Sequence, residues 1–262
     1  MQETWTKRIA RARELARGNG AAAYLLAFYG ELLTLQERIY DSVRTELAGR
    51  ATGSLAQDVV VVRAHVPRVL RAISEHGPPA LAREASRLLE SDGGPAIDDM
   101  LIEYWRAPSG RQFFAKAILQ PYAQWLAEAG VEPVGRPLTR AGNRCQFCGG
   151  APQLSILHTT SELEGGGRQL LCATCLTTWP FRRVVCPFCG EEDDRKLGYF
   201  HTPELDHLRV DGCDSCRHYL KTVDLTRLGL AVPIVDEVAG APLDVWACER
   251  GYEKIELNLL GI

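Results

Sequence analysis

Leu25, Phe28, Leu32, Leu35, Ile39, Val43 and Leu47 follow one another at steps of three and four residues, which lines their side chains along one face of a helix. Asn19 is the expected N-cap of that helix and Gly49 its expected stop. Trp5, Ile9, Ala12 and Ala16 share one face of an earlier helix. Further helices are expected to begin near Pro67, near Pro79 and after Ser109. The last of these carries Phe114, Ile118, Trp125 and Leu126, and Pro121 should kink it, because proline lacks the helix N–H and crowds the preceding turn. Residues 1–140 therefore read as an all-α helical domain. The helical period ends at "VEPVGRPLTRAGNR", residues 131–144, whose prolines and glycines read as a linker. Beyond it "QLSIL", "RQLL" and "KLGYF" are short strand-like runs separated by turn residues, which suits small hairpins. The segment from Pro233 to Ile262 reads as one short helix around "APLDVWACERGY" and an extended tail.

The two halves differ most in their thiols. Of nine cysteines none precedes Cys145, and eight fall at Cys145, Cys148, Cys172, Cys175, Cys186, Cys189, Cys213 and Cys216. Adding 41 to the first four positions gives the second four, and "CQFCGG" aligns with "CPFCGE", so the chain contains two copies of one module. Each copy supplies four thiolates, and a CxxC turn brings two sulfurs to one ion at about 2.3 Å, which suits a mononuclear tetrahedral metal. Cys145, Cys148, Cys172 and Cys175 form one expected ligand set; Cys186, Cys189, Cys213 and Cys216 form the other. Joining Cys172 and Cys175 to Cys186 and Cys189 is the competing arrangement, which breaks the repeat. Gly149 and Gly190 are expected to turn the chain and to offer backbone N–H groups to sulfur. A thioredoxin-like dithiol needs a single CxxC at a helix start, and the spacings do not match ferredoxin patterns. The modules are placed at residues 141–180 and 181–262, the second carrying the C-terminal helix and tail.

Other residues read more plainly. Cys248 is expected to be a small buried thiol and not a ligand. His218, two residues beyond Cys216, is expected at a solvated hairpin position. Trp179 is expected to pack over the first site, and "EEDD", residues 191–194, to be a solvated acidic loop. "GGG" at 165–167 lacks the lysine of a phosphate loop, and no nucleophile, base and acid set can be isolated.

Composition narrows the function classes. The chain has 262 residues, 46% hydrophobic and 24% charged, enough for more than one core. No apolar run approaches the roughly 20 residues a membrane helix needs, and "MQETWTKRIA" lacks a secretory apolar region, so a cytoplasmic location is expected. Nine cysteines in a reducing compartment favour metal binding over disulfides. Residues 141–262 hold 12 Lys plus Arg against 17 Asp plus Glu, a balance of −5 before any thiolate is counted. A nucleic-acid partner is disfavoured, because phosphate binding draws on cationic side chains.

"CQFCGGAPQLS", "GRQLLCATCLTTWPFRRVVCPFCG", "CDSCRHYLKTVD" and "LDVWACERGYEKIELNLLGI" together resemble the FdhE family of formate dehydrogenase accessory proteins. "LQPYAQWLA" in the helical half is similar as well. The resemblance implies a non-catalytic cytoplasmic assembly factor that binds the catalytic subunit of a respiratory formate dehydrogenase before its export. It also implies rubredoxin-like sites, with iron favoured; zinc accepts the same four thiolates. Pro180 departs from the histidine that the family places after the tryptophan, so no role of that side chain carries over. The fold class expected is α+β: an N-terminal all-α domain followed by two tandem rubredoxin-like or zinc-ribbon modules holding two mononuclear ions. Self-association is compatible with the sequence. Two other readings stay open, a rubredoxin-type electron-transfer protein and a nucleic-acid-binding zinc ribbon.

Overall fold

A computed structural model of the chain describes residues 4–18, 20–90, 94–135, 142–160 and 163–262. Among these, the helical half comprises α1 (Trp5–Ala16), α2 (Ala23–Leu47), α3 (Leu55–Arg63), α4 (Val66–His76), α5 (Pro79–Glu90), α6 (Gly94–Arg106) and α7 (Phe113–Ala129). The stripe read from the sequence is the buried face of α2: Phe28, Leu32, Ile39, Val43 and Leu47 all enter the core. Gly49 takes φ 71° just beyond it, a left-handed conformation that glycine adopts without a Cβ clash. Asn19 lies outside the described residues, as do residues 136–141 of the expected linker. The N-cap position of α2 falls on Ala22, which makes no side-chain cap.

α3 and α6 were not expected from periodicity. α3 is a single "VVVV"-centred segment of nine residues whose β-branched run masks a helical period. α7 is buried on every side from Phe113 to Leu126, Lys116, Gln120 and Gln124 included, which makes it the axis of the helical half. It runs on past Pro121 to Ala129, and Gly130 closes it in the left-handed region.

The second half is a sheet. Its strands are β1 (Pro152–Thr160), β2 (Leu163–Cys172), β3 (Thr178–Pro180), β4 (Leu197–His201), β5 (Leu208–Cys213), β6 (His218–Asp224) and β7 (Glu253–Lys254). The order is β3-β2-β1-β6-β5-β4, with β7 beside β6. Each copy of the repeat is a three-stranded antiparallel meander, and the copies join where β1 runs parallel to β6, with Leu154 opposite Lys221 and Leu157 opposite Asp224. The two modules thus share one continuous sheet. The 41-residue spacing extends to backbone shape: Gly149 and Gly190 both have positive φ, and so do Leu176 and Arg217, the only non-glycine residues among those described that do.

The expected C-terminal helix is α9 (Ala241–Glu249), and a second helix that was not expected, α8 (Pro233–Ala239), precedes it and meets it at Gly240. A Cβ on Gly240 would stand 3.0 Å from Leu208 Cδ1, so the junction sits tight against β5. α8 packs on α1, α2, β1 and β6, and joins the helical half to the sheet at the seam between the modules. One core runs from the helices through the first cysteine set to α8; a smaller one lies between β5, β6 and α9.

Candidate metal centres

The loops after and before the strands carry the thiols inward in two sets of four. Cys145, Cys148, Cys172 and Cys175 place their sulfurs within 4.8 Å of one another, and so do Cys186, Cys189, Cys213 and Cys216. The alternative arrangement that joined Cys172 and Cys175 to Cys186 and Cys189 does not occur. Sγ···Sγ separations are 3.6 Å for Cys145 and Cys175, 3.4 Å for Cys148 with both Cys172 and Cys175, and 3.7 Å for Cys186 with Cys216 and Cys189 with Cys213. A tetrahedron with metal–sulfur bonds near 2.3 Å has edges of about 3.8 Å, so both sets fit one four-coordinate ion. Four thiols this close cannot all ionise by themselves. Burial raises Cys186 to about 11 and pushes Cys175 and Cys216 up as well, so a cation is what makes four thiolates compatible.

The knuckles are built alike. The Cys145 N–H donates to the Gly150 carbonyl and the Cys186 N–H to the Glu191 carbonyl, at 3.0 and 2.9 Å. Gly149 and Gly190 make the turn at positive φ, yet their N–H groups donate to the Cys145 and Cys186 carbonyl oxygens, not to sulfur as expected, because each closes the tight turn of its own CxxC loop. Sulfur receives other donors: the Thr174 N–H reaches Cys172 Sγ at 3.3 Å. In the second set the neighbouring backbone N–H groups favour the thiolate forms of Cys186, Cys189 and Cys216.

Their surroundings differ. All four sulfur-bearing residues of the first set are buried and belong to the main core, beneath α7, whose Gln120 donates to the Ala173 carbonyl at 3.0 Å. Lys116, buried in the first turn of α7, donates to the Leu257 carbonyl at 2.6 Å, and burial lowers it to about 8. Trp179 closes this side, its indole N–H donating to the Gly142 carbonyl at 2.9 Å, in keeping with a packing role. In the second set Cys189 is exposed and Cys216 half-buried.

Two expectations for the second set's neighbourhood, those for His218 and Cys248, are corrected. His218 is not a solvated hairpin residue: its ring stacks on Phe188 with centroids 3.6 Å apart and planes within 11°, and Nδ1 lies 2.8 Å from the Cys216 carbonyl. The "EEDD" loop faces solvent as expected, and three of its acids also hold partners there. Glu191 accepts from the Ser215 hydroxyl of the opposite knuckle and from the N–H groups of Asp193 and Glu192, and these bonds bring it down to about 2. Glu192 pairs with Arg182, and Asp193 caps the 3-10 turn Asp194–Lys196. Cys248 is exposed on α9, and so is not the buried thiol expected; it stands outside both sets.

Sequence reasoning missed the buried charges that lock the sites in place. Arg168, on β2, donates through Nη1 to the carbonyls of Arg182, Arg183 and Val185 at 3.1–3.3 Å and pairs with Asp211 on β5, so it pins the segment entering the second knuckle. On β6 Lys221 pairs with Glu237 at 2.9 Å and with Asp244; Lys254 meets the same two acids, and Asn258 donates to Glu237 at 2.6 Å. Asp236, beside it on α8, accepts from Arg11 at 2.7 Å and lies 3.1 Å from His207, tying α1 to the second module. Lysines and carboxylates inside strand and helix periods read as solvent-facing until their partners are known.

The family model described as FdhE, C-terminal domain, matches residues 184–260. The protein FdhE homolog of Aquifex aeolicus is 33% identical over 195 residues, 74% of this chain and 68% of that protein. The homolog of Pseudomonas putida is 26% identical over 283 aligned residues that cover 97% of this chain and 86% of the relative. Among solved structures, the crystal structure of the FdhE protein from Pseudomonas aeruginosa superposes with a TM-score of 0.67 at 23% identity, covering 99% of this chain and 97% of that one, a likeness of fold.

Proposed function

The chain belongs to the FdhE family, and from that premise we propose that it is a non-catalytic assembly factor for a respiratory formate dehydrogenase, acting in the cytoplasm by binding the catalytic subunit before export. The observation that carries the reading is the family relation joined to two closed sets of four thiols. Four protein sulfurs fill a tetrahedral ion, which leaves no open position for a substrate, whereas a catalytic metal keeps one. The eight cysteines would hold one ion in each site, iron by preference and zinc by the same donors. Bound there, the ion would cross-link the two knuckles of its module and set the charge of that face. The C-terminal half's acidic balance supports a protein partner over a nucleic acid. Among the described residues no helix is long and apolar enough to cross a membrane.

Deleting the gene should leave the catalytic subunit detectable by antibody but abolish formate oxidation, and restoring the gene should restore it. Normal formate oxidation in a deletion strain with no second copy refutes the assignment. An electron-transfer role is the second reading, favoured by the exposed Cys189. It requires a reversible one-electron step in a redox titration of the iron-loaded chain.

A further inference from the structure

We propose that the two thiolate sites divide their work: the Cys145, Cys148, Cys172 and Cys175 site locks the fold and keeps its ion, while the Cys186, Cys189, Cys213 and Cys216 site is the exchange site, where ions and thiol reagents enter past a Phe188–His218 clamp. The proposal rests on the metal reading above and concerns how each site meets solvent.

The repeat makes the comparison controlled, since equivalent positions differ by 41 residues. Phe147 and Phe188 occupy the same place between the knuckle cysteines. Phe147 packs against the main core, whereas Phe188 is 43% exposed. Thr177 and His218 are likewise equivalent. Thr177 takes a 3.2 Å contact from Cys175 Sγ, whereas His218 stacks on Phe188 and so joins one knuckle of the second site to the other. The first site's cysteines are continuous with the helical core; none of the second site's four belongs to either hydrophobic cluster. Losing an ion from a tetrathiolate begins when a proton or competing ligand reaches one sulfur. At the first site that requires opening the core, whereas at the second Cys189 already meets solvent and only the Phe188–His218 stack, which joins the two knuckles, has to part.

The experiment uses the full chain loaded with zinc, its two ions per chain first counted by native mass spectrometry. Excess 4-(2-pyridylazo)resorcinol is added and release followed by absorbance, with timed iodoacetamide pulses mapped by peptide mass; in each pulse a cysteine sulfur displaces iodide to form an S–C bond. The division predicts two phases of one ion each. Cys189 and Cys216 are alkylated in the fast phase, and the thermal transition persists until the slow one. Phe188→Ala and His218→Gln should speed the fast phase about two- to tenfold, the range an aromatic pair supports, and leave the slow phase alone. Release in one phase, early labelling of Cys145 or Cys172, or equal acceleration of both phases overturns the proposal while two bound ions still stand. A chain that takes up fewer than two ions refutes the metal reading beneath it.

Discussion

A methyl group on Gly150 would lie 2.7 Å from Cys172 Sγ and 3.3 Å from Cys148 Sγ, closer than carbon and sulfur approach without displacement. Gly150→Ala should therefore loosen the first site and destabilise the chain by about 1–3 kcal/mol, the usual cost of overpacking. Metal content and thermal unfolding check it, and a variant that keeps both ions and its melting temperature contradicts it. Glu237 is the other residue with a sharp prediction. Burial alone would raise its carboxyl group, but the ammonium groups of Lys221 and Lys254 overcome this and bring it from 4.5 to about 2. A carboxylate depressed in the folded state contributes stability that is present above about pH 4.5 and lost as pH falls through about 2. Glu237→Gln should cost about 3 kcal/mol at neutral pH, since it leaves two buried ammonium groups undercompensated. It should also flatten the acid limb of the stability curve. An unchanged limb in denaturant titrations from pH 7 to 2 refutes this account of the network.

At the scale of elements, the seam between β1 and β6 is where the fold departs most from what the sequence discloses. The 41-residue spacing makes the two thiol sets and the hairpins between them legible, because a duplicated CxxC pattern fixes which thiols group together and where the chain turns. It says nothing of how the copies meet. Ser155 on β1 and Thr222 on β6 share a buried hydroxyl contact, Thr222 donates to Asp211 at 2.7 Å, and Arg168 closes the group, yet each reads singly as an ordinary surface residue. β6 itself, "HYLKTVD", is buried through its middle with Lys221 inside, so its lysine disguises a central strand. Gly240 likewise carries no mark in the sequence as the joint between α8 and α9. Arg168→Met should free the 182–185 segment. Amide hydrogen exchange should rise there and at the second knuckle by at least tenfold, the equivalent of about 1.4 kcal/mol, with the first knuckle unchanged. Equal exchange in both proteins would remove Arg168 from this role.

In the whole molecule the first site is part of the core shared by α7, α8 and the sheet, while the second stands beyond it. Metal binding that completes a core is folding free energy. Cys172→Ser should therefore lower the main thermal transition, and Cys213→Ser should leave that transition in place while its own module opens. Cys248→Ser, which touches neither set, should change neither transition nor metal count. A Cys213 variant that unfolds as a whole would mean that the shared sheet transmits the loss across the seam.

Two four-thiolate sites, each expected to hold one ion, carry the proposed function. Native mass spectrometry of the purified chain, paired with elemental analysis and an acid-labile sulfide assay, reads this directly. The account predicts two ions per chain and no sulfide, with one ion remaining in Cys213→Ser. A single ion in the unaltered chain, or iron accompanied by stoichiometric sulfide, would contradict it.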